Sequence, residues 1–116
     1  MMLSMTSYKF GDVVLVPFPF TDQTTTKKRP AVIVSSNDYQ RERFDLVLIA
    51  ITSQSNSVTS FGEITITKWK AANLIKPSII KPVLTTISKE LVIKKLGQLE
   101  EVDRQALQNL LQCILG

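Results

Sequence analysis

Val13-Val14-Leu15-Val16-Pro17-Phe18-Pro19-Phe20, a polar and basic connection from Thr21 to Lys28, and then Arg29-Pro30-Ala31-Val32-Ile33-Val34 form the stretch on which the fold turns. The Val-rich and Ile-rich runs read as strands. Pro17 and Pro19 make the exit of the first one extended and irregular, away from central sheet pairing. Arg29 stands directly before Pro30, where the chain is biased toward extended structure. A charge at the mouth of such a strand faces whatever docks at the strand's end, and folding alone does not require it.

Working outward, Gly11-Asp12 introduces a first strand over Val13 to Val16, and a second runs from Ala31 to Ser35. Ser36, Asn37 and Asp38 offer caps for a short helical turn over Tyr39 to Arg43. A third strand follows over Leu46 to Ile51, and Thr52 to Ser60 reads as a polar loop. Glu63 to Thr67 alternates like a half-buried strand, and Lys68 to Leu74 makes a helical turn or two around Trp69. Ile79 and Ile80 begin an extended piece interrupted by Pro82, and Leu91 to Leu99 gives a strand with Gly97 near its end. From Glu101 the period changes: Val102, Ala106, Leu107, Leu110, Leu111 and Ile114 share a helical face, with Glu101 and Asp103 in the first turn. The expectation is a mainly β, α+β protein: a small bent sheet or barrel covered by one C-terminal helix.

At 116 residues the chain is one domain. Residues 1–7 are expected to be a flexible tail and 8–116 the domain. No apolar run reaches the roughly 18 residues of a spanning helix, and the opening residues lack a basic start with a long apolar centre, so no membrane role is expected and a cytoplasmic location is. With one cysteine, Cys113, no internal disulfide forms, and its place in the amphipathic pattern puts it toward the core. The absence of histidine excludes Ser-His-Asp and Cys-His hydrolysis and two-histidine RNA cleavage; with one cysteine it also argues against zinc. No metal and no cofactor is expected. The net charge is only +4, but Lys27, Lys28 and Arg29 cluster and lysines crowd the second half, which permits a polyanion partner.

The groups left near strand ends are Arg29, Thr52-Ser53-Gln54, and Lys76 and Lys81 flanking Ser78. A guanidinium with hydroxyl donors can grip a phosphodiester and stabilise the added charge of its pentacoordinate transition state. That requires the two strand ends to be neighbours. Otherwise Arg29 merely solubilises a strand start, and Thr52 and Ser53 bond their own backbone.

Phe10-Gly11-Asp12-Val13-Val14-Leu15-Val16 with Pro17 to Asp22, Lys28 to Val34, Ile49-Ala50-Ile51-Thr52-Ser53-Gln54, Leu74 to Ser78, Thr86-Ile87 and Lys95 to Leu99 stand in an order and spacing that resembles the MazF/PemK family of bacterial toxin ribonucleases. The resemblance covers residues 8 to 115. It implies an SH3-like barrel of the CcdB/MazF type, a homodimer, cleavage of single-stranded RNA without metal, and a cognate antitoxin. By position it makes Arg29 and Thr52 the catalytic pair, with Lys28, Ser53, Gln54, Lys76, Ser78, Lys81 and Thr86 contacting RNA. A guanidinium is a poor proton acceptor, so Arg29 is read as binding phosphate and stabilising the transition state, and the base is unassigned. Many relatives carry an acidic residue, Gln and a basic residue before the Thr-Ile pair; here the run is Lys81-Pro82-Val83-Leu84-Thr85. A gyrase poison of the CcdB kind and a barrel that binds RNA or a partner without cutting stay open as alternatives.

Overall fold

The computed structural model describes residues 7–18, 27–53 and 59–116. Six of the seven expected tail residues, the 19–26 connection and positions 54–58, Gln54 among them, lie outside that set. The elements are β1 (Asp12–Phe18), β2 (Lys27–Ile33), α1 (Asn37–Glu42), β3 (Asp45–Ser53), β4 (Ile64–Thr65), β5 (Ser78–Ser88), a 3-10 turn (Lys89–Leu91), β6 (Lys94–Gln98) and α2 (Glu101–Leu115). The strands form one antiparallel sheet in the order β4-β5-β3-β2-β1-β6. It curls into a half-barrel with α2 as the terminal helix, matching the expected class.

Period-two alternation explains why the central strands read as continuous apolar runs: both of their faces are covered. Val13, Val32, Ile49, Ile51 and Ile80 pack toward Leu107 and Leu110 of α2. Val14, Val16, Ala31, Ile33, Leu46, Leu48 and Ala50 point the other way and close on Tyr8 and Ile87. Burying one such side chain is worth about 1.5–3 kcal/mol, so the two clusters hold the register of β1, β2 and β3.

Several boundaries differ from those read along the chain. Thr52 and Ser53 end β3 instead of opening a loop, because they still pair with Ile79 and Ser78 on β5. The Glu63 to Thr67 strand shrinks to Ile64–Thr65. Pro82 does not stop β5: Lys81, Pro82 and Val83 sit between Ile80, which pairs with Ile51, and Leu84, which pairs with Ile49. Opposite them is the single residue Ala50, so the proline occupies a bulge where no ladder N–H is needed. The Leu91 to Leu99 strand shortens to β6, because Leu91 ends the 3-10 turn.

On α2 the buried positions are Asp103, Leu107 and Leu110, whereas Val102 is half exposed. The inward stripe is thus displaced by one residue at its start, because the Asp103 carboxylate takes the first inward position and accepts the N–H groups of Thr67 and Lys68. Cys113 is exposed, against the expectation of a core position. The stripe that runs through Leu107, Leu110 and Ile114 leaves it on the outer side. Among the described residues no helix is long and apolar enough to cross a membrane.

Candidate functional site

The register of β2 against β3 pairs Ala31 with Ala50, Val32 with Ile49 and Ile33 with Leu48. Carried two residues further, that register brings the positions of Arg29 and Thr52 together, and both line one cavity. By alternation both share a face with Ala31 and Ala50. The neighbouring ladders extend the row, with Val16 beside Arg29 and Ile79 beside Thr52. The condition set on the sequence, that the two strand ends be adjacent, is met.

A cavity of about 350 Å³ opens at this end of the sheet. Lys27, Lys28, Arg29 and Pro30 form its β2 side, Ile51, Thr52 and Ser53 its β3 side, and Leu74, Ile75, Lys76 and Ser78 its third wall. Four cations and no carboxylate therefore line it among the described residues. With Thr52 and Ser53 beside them, these groups are donors suited to a phosphate's oxygens.

The third wall is built by the segment between β4 and β5. Asp103, buried on α2, accepts from the backbone N–H groups of Thr67 and Lys68, both at 2.8 Å. This clamp starts a turn in which Ala72 N–H donates to Lys68 O and Leu74 N–H to Trp69 O. Asn73 has φ 64°, a conformation Asn tolerates better than most residues, and its Nδ2 donates to Leu96 O at 2.7 Å. The chain then turns toward the cavity through Leu74, Ile75 and Lys76.

Of the residues expected at the site, Arg29, Thr52, Lys28, Ser53, Lys76 and Ser78 are brought together. Ser78 is buried and its hydroxyl donates to Lys76 O at 2.9 Å, so it shapes the wall. Lys81 and Thr86 are not among the lining residues. Lys81 pairs with Glu63 at 3.8 Å, carried there by the β5 bulge. Thr86 is exposed opposite Val47, five positions along β3 from Thr52. Lys27, of the basic cluster, and Ile75 also line the cavity without having been read as site residues. Ile75, 90% exposed beside Lys76, is an apolar residue with no packing reason for its place.

Residues 9–115 match the model of the PemK-like, MazF-like toxin of type II toxin-antitoxin systems. The chain belongs to this toxin family. Among solved structures it is similar to an endoribonuclease in complex with its cognate antitoxin from a mycobacterial species, at TM-score 0.75 and 17% identity over 95% of this chain and 96% of that one. It is also similar to a second mycobacterial endoribonuclease, at TM-score 0.73 and 18% identity over 97% and 94%. At these identities the likeness is one of fold. The search among curated proteins returned no match. The residues that line the Arg29–Thr52 cavity all lie within the stretch matched to this toxin family.

Proposed function

We propose that this PemK/MazF-like toxin is a sequence-selective endoribonuclease that cuts single-stranded RNA without metal, by attack of a 2'-hydroxyl on the adjacent phosphate. The observation that carries the reading is the meeting of Arg29 and Thr52 in one cavity lined by four cations and no carboxylate among the described residues. In the step itself the 2'-oxygen bonds to phosphorus, its proton passes to a base, and the bond to the 5'-oxygen breaks as that oxygen takes up a proton. The products are a 2',3'-cyclic phosphate and a 5'-hydroxyl. Arg29 holds the non-bridging oxygens and neutralises charge that grows in the pentacoordinate transition state. Thr52 and Ser53 orient the phosphate from β3, and Lys28 and Lys76 hold the flanking backbone.

The toxin acts in the cytoplasm as a homodimer, and a cognate antitoxin with an acidic segment neutralises it by filling the same cationic cavity. Family membership and the antitoxin complex of the similar mycobacterial endoribonuclease support this part of the reading. A gyrase poison has no need of an arginine and a threonine meeting in one cationic cavity.

The test incubates the protein with end-labelled single-stranded RNA in excess EDTA, beside Arg29→Ala. Discrete cuts ending in 2',3'-cyclic phosphate, reduced by about 10²–10³-fold or more in the variant with its circular dichroism unchanged, are expected. Absence of cutting by the wild type across varied sequences, or equal cutting by the variant, overturns the proposal.

A further inference from the structure

A second cavity, also about 350 Å³, lies at the other end of the sheet, where the chain entering β1, helix α1 and the 3-10 turn converge. Tyr8, Lys9, Asn37, Gln40, Arg41 and Lys89 line it, again with cations and no carboxylate among the described residues. Two of the nearby acids, Asp38 and Asp12, are already engaged. Asp38 pairs with Arg41. Asp12 is buried, accepts from Lys9 N–H at 2.8 Å, and has the Lys95 ammonium 3.4 Å away. Lys9 and Lys89 form no ion pair with a described residue, and the site rests on these side chains rather than on the end of the short α1. Burial, with a smaller contribution from Asp12, raises the Tyr8 phenol above its ordinary value, so its hydroxyl keeps its proton at neutral pH.

Tyr8 belongs to the apolar cluster that includes Val16, Ala31 and Ala50, the face that alternation also gives to Arg29 and Thr52. The two cationic cavities are thus tied to one face, at opposite ends of β2 and β3. Seven residues of β2 at roughly 3.3 Å each put them about 20 Å or more apart. Concentrating cations at two places on a chain with a net charge of only +4 suits a ligand with more than one phosphate.

We propose that the Lys9–Arg41–Lys89 cavity is a second phosphate-binding subsite. Where RNA is the ligand, which rests on the function proposed above, the group it takes is a backbone phosphate distant from the one at Arg29. The other source of the same chemistry is a free phosphate.

The experiment compares wild type, the double variant Lys9→Gln/Lys89→Gln, and Arg29→Ala. Binding is followed against salt with mixed-sequence 2'-O-methyl RNA of about 4 and about 16 nucleotides, and inorganic phosphate is titrated separately by NMR. Losing two phosphate contacts should lower the salt slope of the longer RNA by about 1.4, since each contact on a single strand contributes about 0.7. The shorter RNA should be unaffected, whereas Arg29→Ala should weaken both. Inorganic phosphate should shift the Tyr8, Lys9 and Lys89 amides saturably in the wild type and not in the double variant. Phosphate shifts with an unchanged RNA slope support the subsite with a free phosphate as its source. No phosphate shifts together with an unchanged slope overturn it. If Arg29→Ala leaves both RNAs unaffected, the ribonuclease reading fails while the phosphate titration still decides the subsite.

Discussion

Arg29 and Thr52 meet at one cavity because β2 and β3 are antiparallel neighbours whose paired register, carried two residues past Ala31 and Ala50, brings the two positions together. The chemistry asked of them differs. The guanidinium supplies charge and a two-pronged grip, whereas the threonine supplies one hydroxyl on a β-branched, rotamer-restricted stem. Thr52→Val keeps the stem and removes the hydroxyl, so cleavage should fall by about 10–100-fold while Thr52→Ser retains most of it; initial rates on one RNA check this. Tyr8 offers a test of burial. Its raised pKa is caused first by desolvation and then by Asp12, so the folded form holds the proton more tightly than the unfolded one. Native stability should therefore decline as pH rises from 10 upward, and Tyr8→Phe should flatten that decline in urea melts read at several alkaline pH values.

Asp103 links α2 to the wall of the cavity by accepting two backbone N–H groups from Thr67 and Lys68. Removing a charged acceptor from two hydrogen bonds at a buried position should cost Asp103→Ala about 2–4 kcal/mol, with Asp103→Asn milder because one carbonyl oxygen remains. Denaturant midpoints measure the loss. Gly97 on β6 shows the same turn from its other side. A Cβ there would lie 2.8 Å from the Ala72 carbonyl oxygen and 3.2 Å from Asn73 Nδ2. Gly97→Ala should push the turn off β6, costing about 1–3 kcal/mol, and should lower RNA affinity through displacement of Leu74 to Lys76. An unchanged midpoint would show that the turn yields freely. The turn is thus pinned by α2 and β6 together, and with it one of the three walls around Arg29.

In the molecule as a whole, the half-barrel carries an apolar cluster on each face, and α2 covers only one of them directly. Exposed Ile75 beside the cationic cavity, with Phe44 and Phe61 each 85% exposed, leaves large apolar groups at the surface. The proposed homodimer should appear in light scattering as a species of two chain masses, and its RNA binding should weaken steeply with salt. A monomer at every working concentration would remove the dimer from the proposal.

The strong apolar runs of β1, β2 and β3 and the changed period of α2 were legible because alternation and helical spacing are local properties of the chain. The chemistry proposed for the site starts from the same local reading: without histidine, and with arginine and hydroxyls near strand ends, phosphate binding is what those residues do well. Their ordered motifs also pointed to the PemK/MazF family. Adjacency was decided only in three dimensions. Antiparallel pairing of β2 with β3 brought Thr52 and Arg29 to one cavity, and the β5 bulge around Pro82 carried Lys81 to Glu63 and away from it. The inward place of Asp103 and the outward place of Cys113 were likewise tertiary outcomes. A helix pattern places apolar residues inside by transfer energy, but a carboxylate is held inside by two N–H groups that come from a turn 35 and 36 residues away along the chain. Local spacing specifies which elements form, whereas the hydrogen bonds and bulges between distant segments specify which side chains meet.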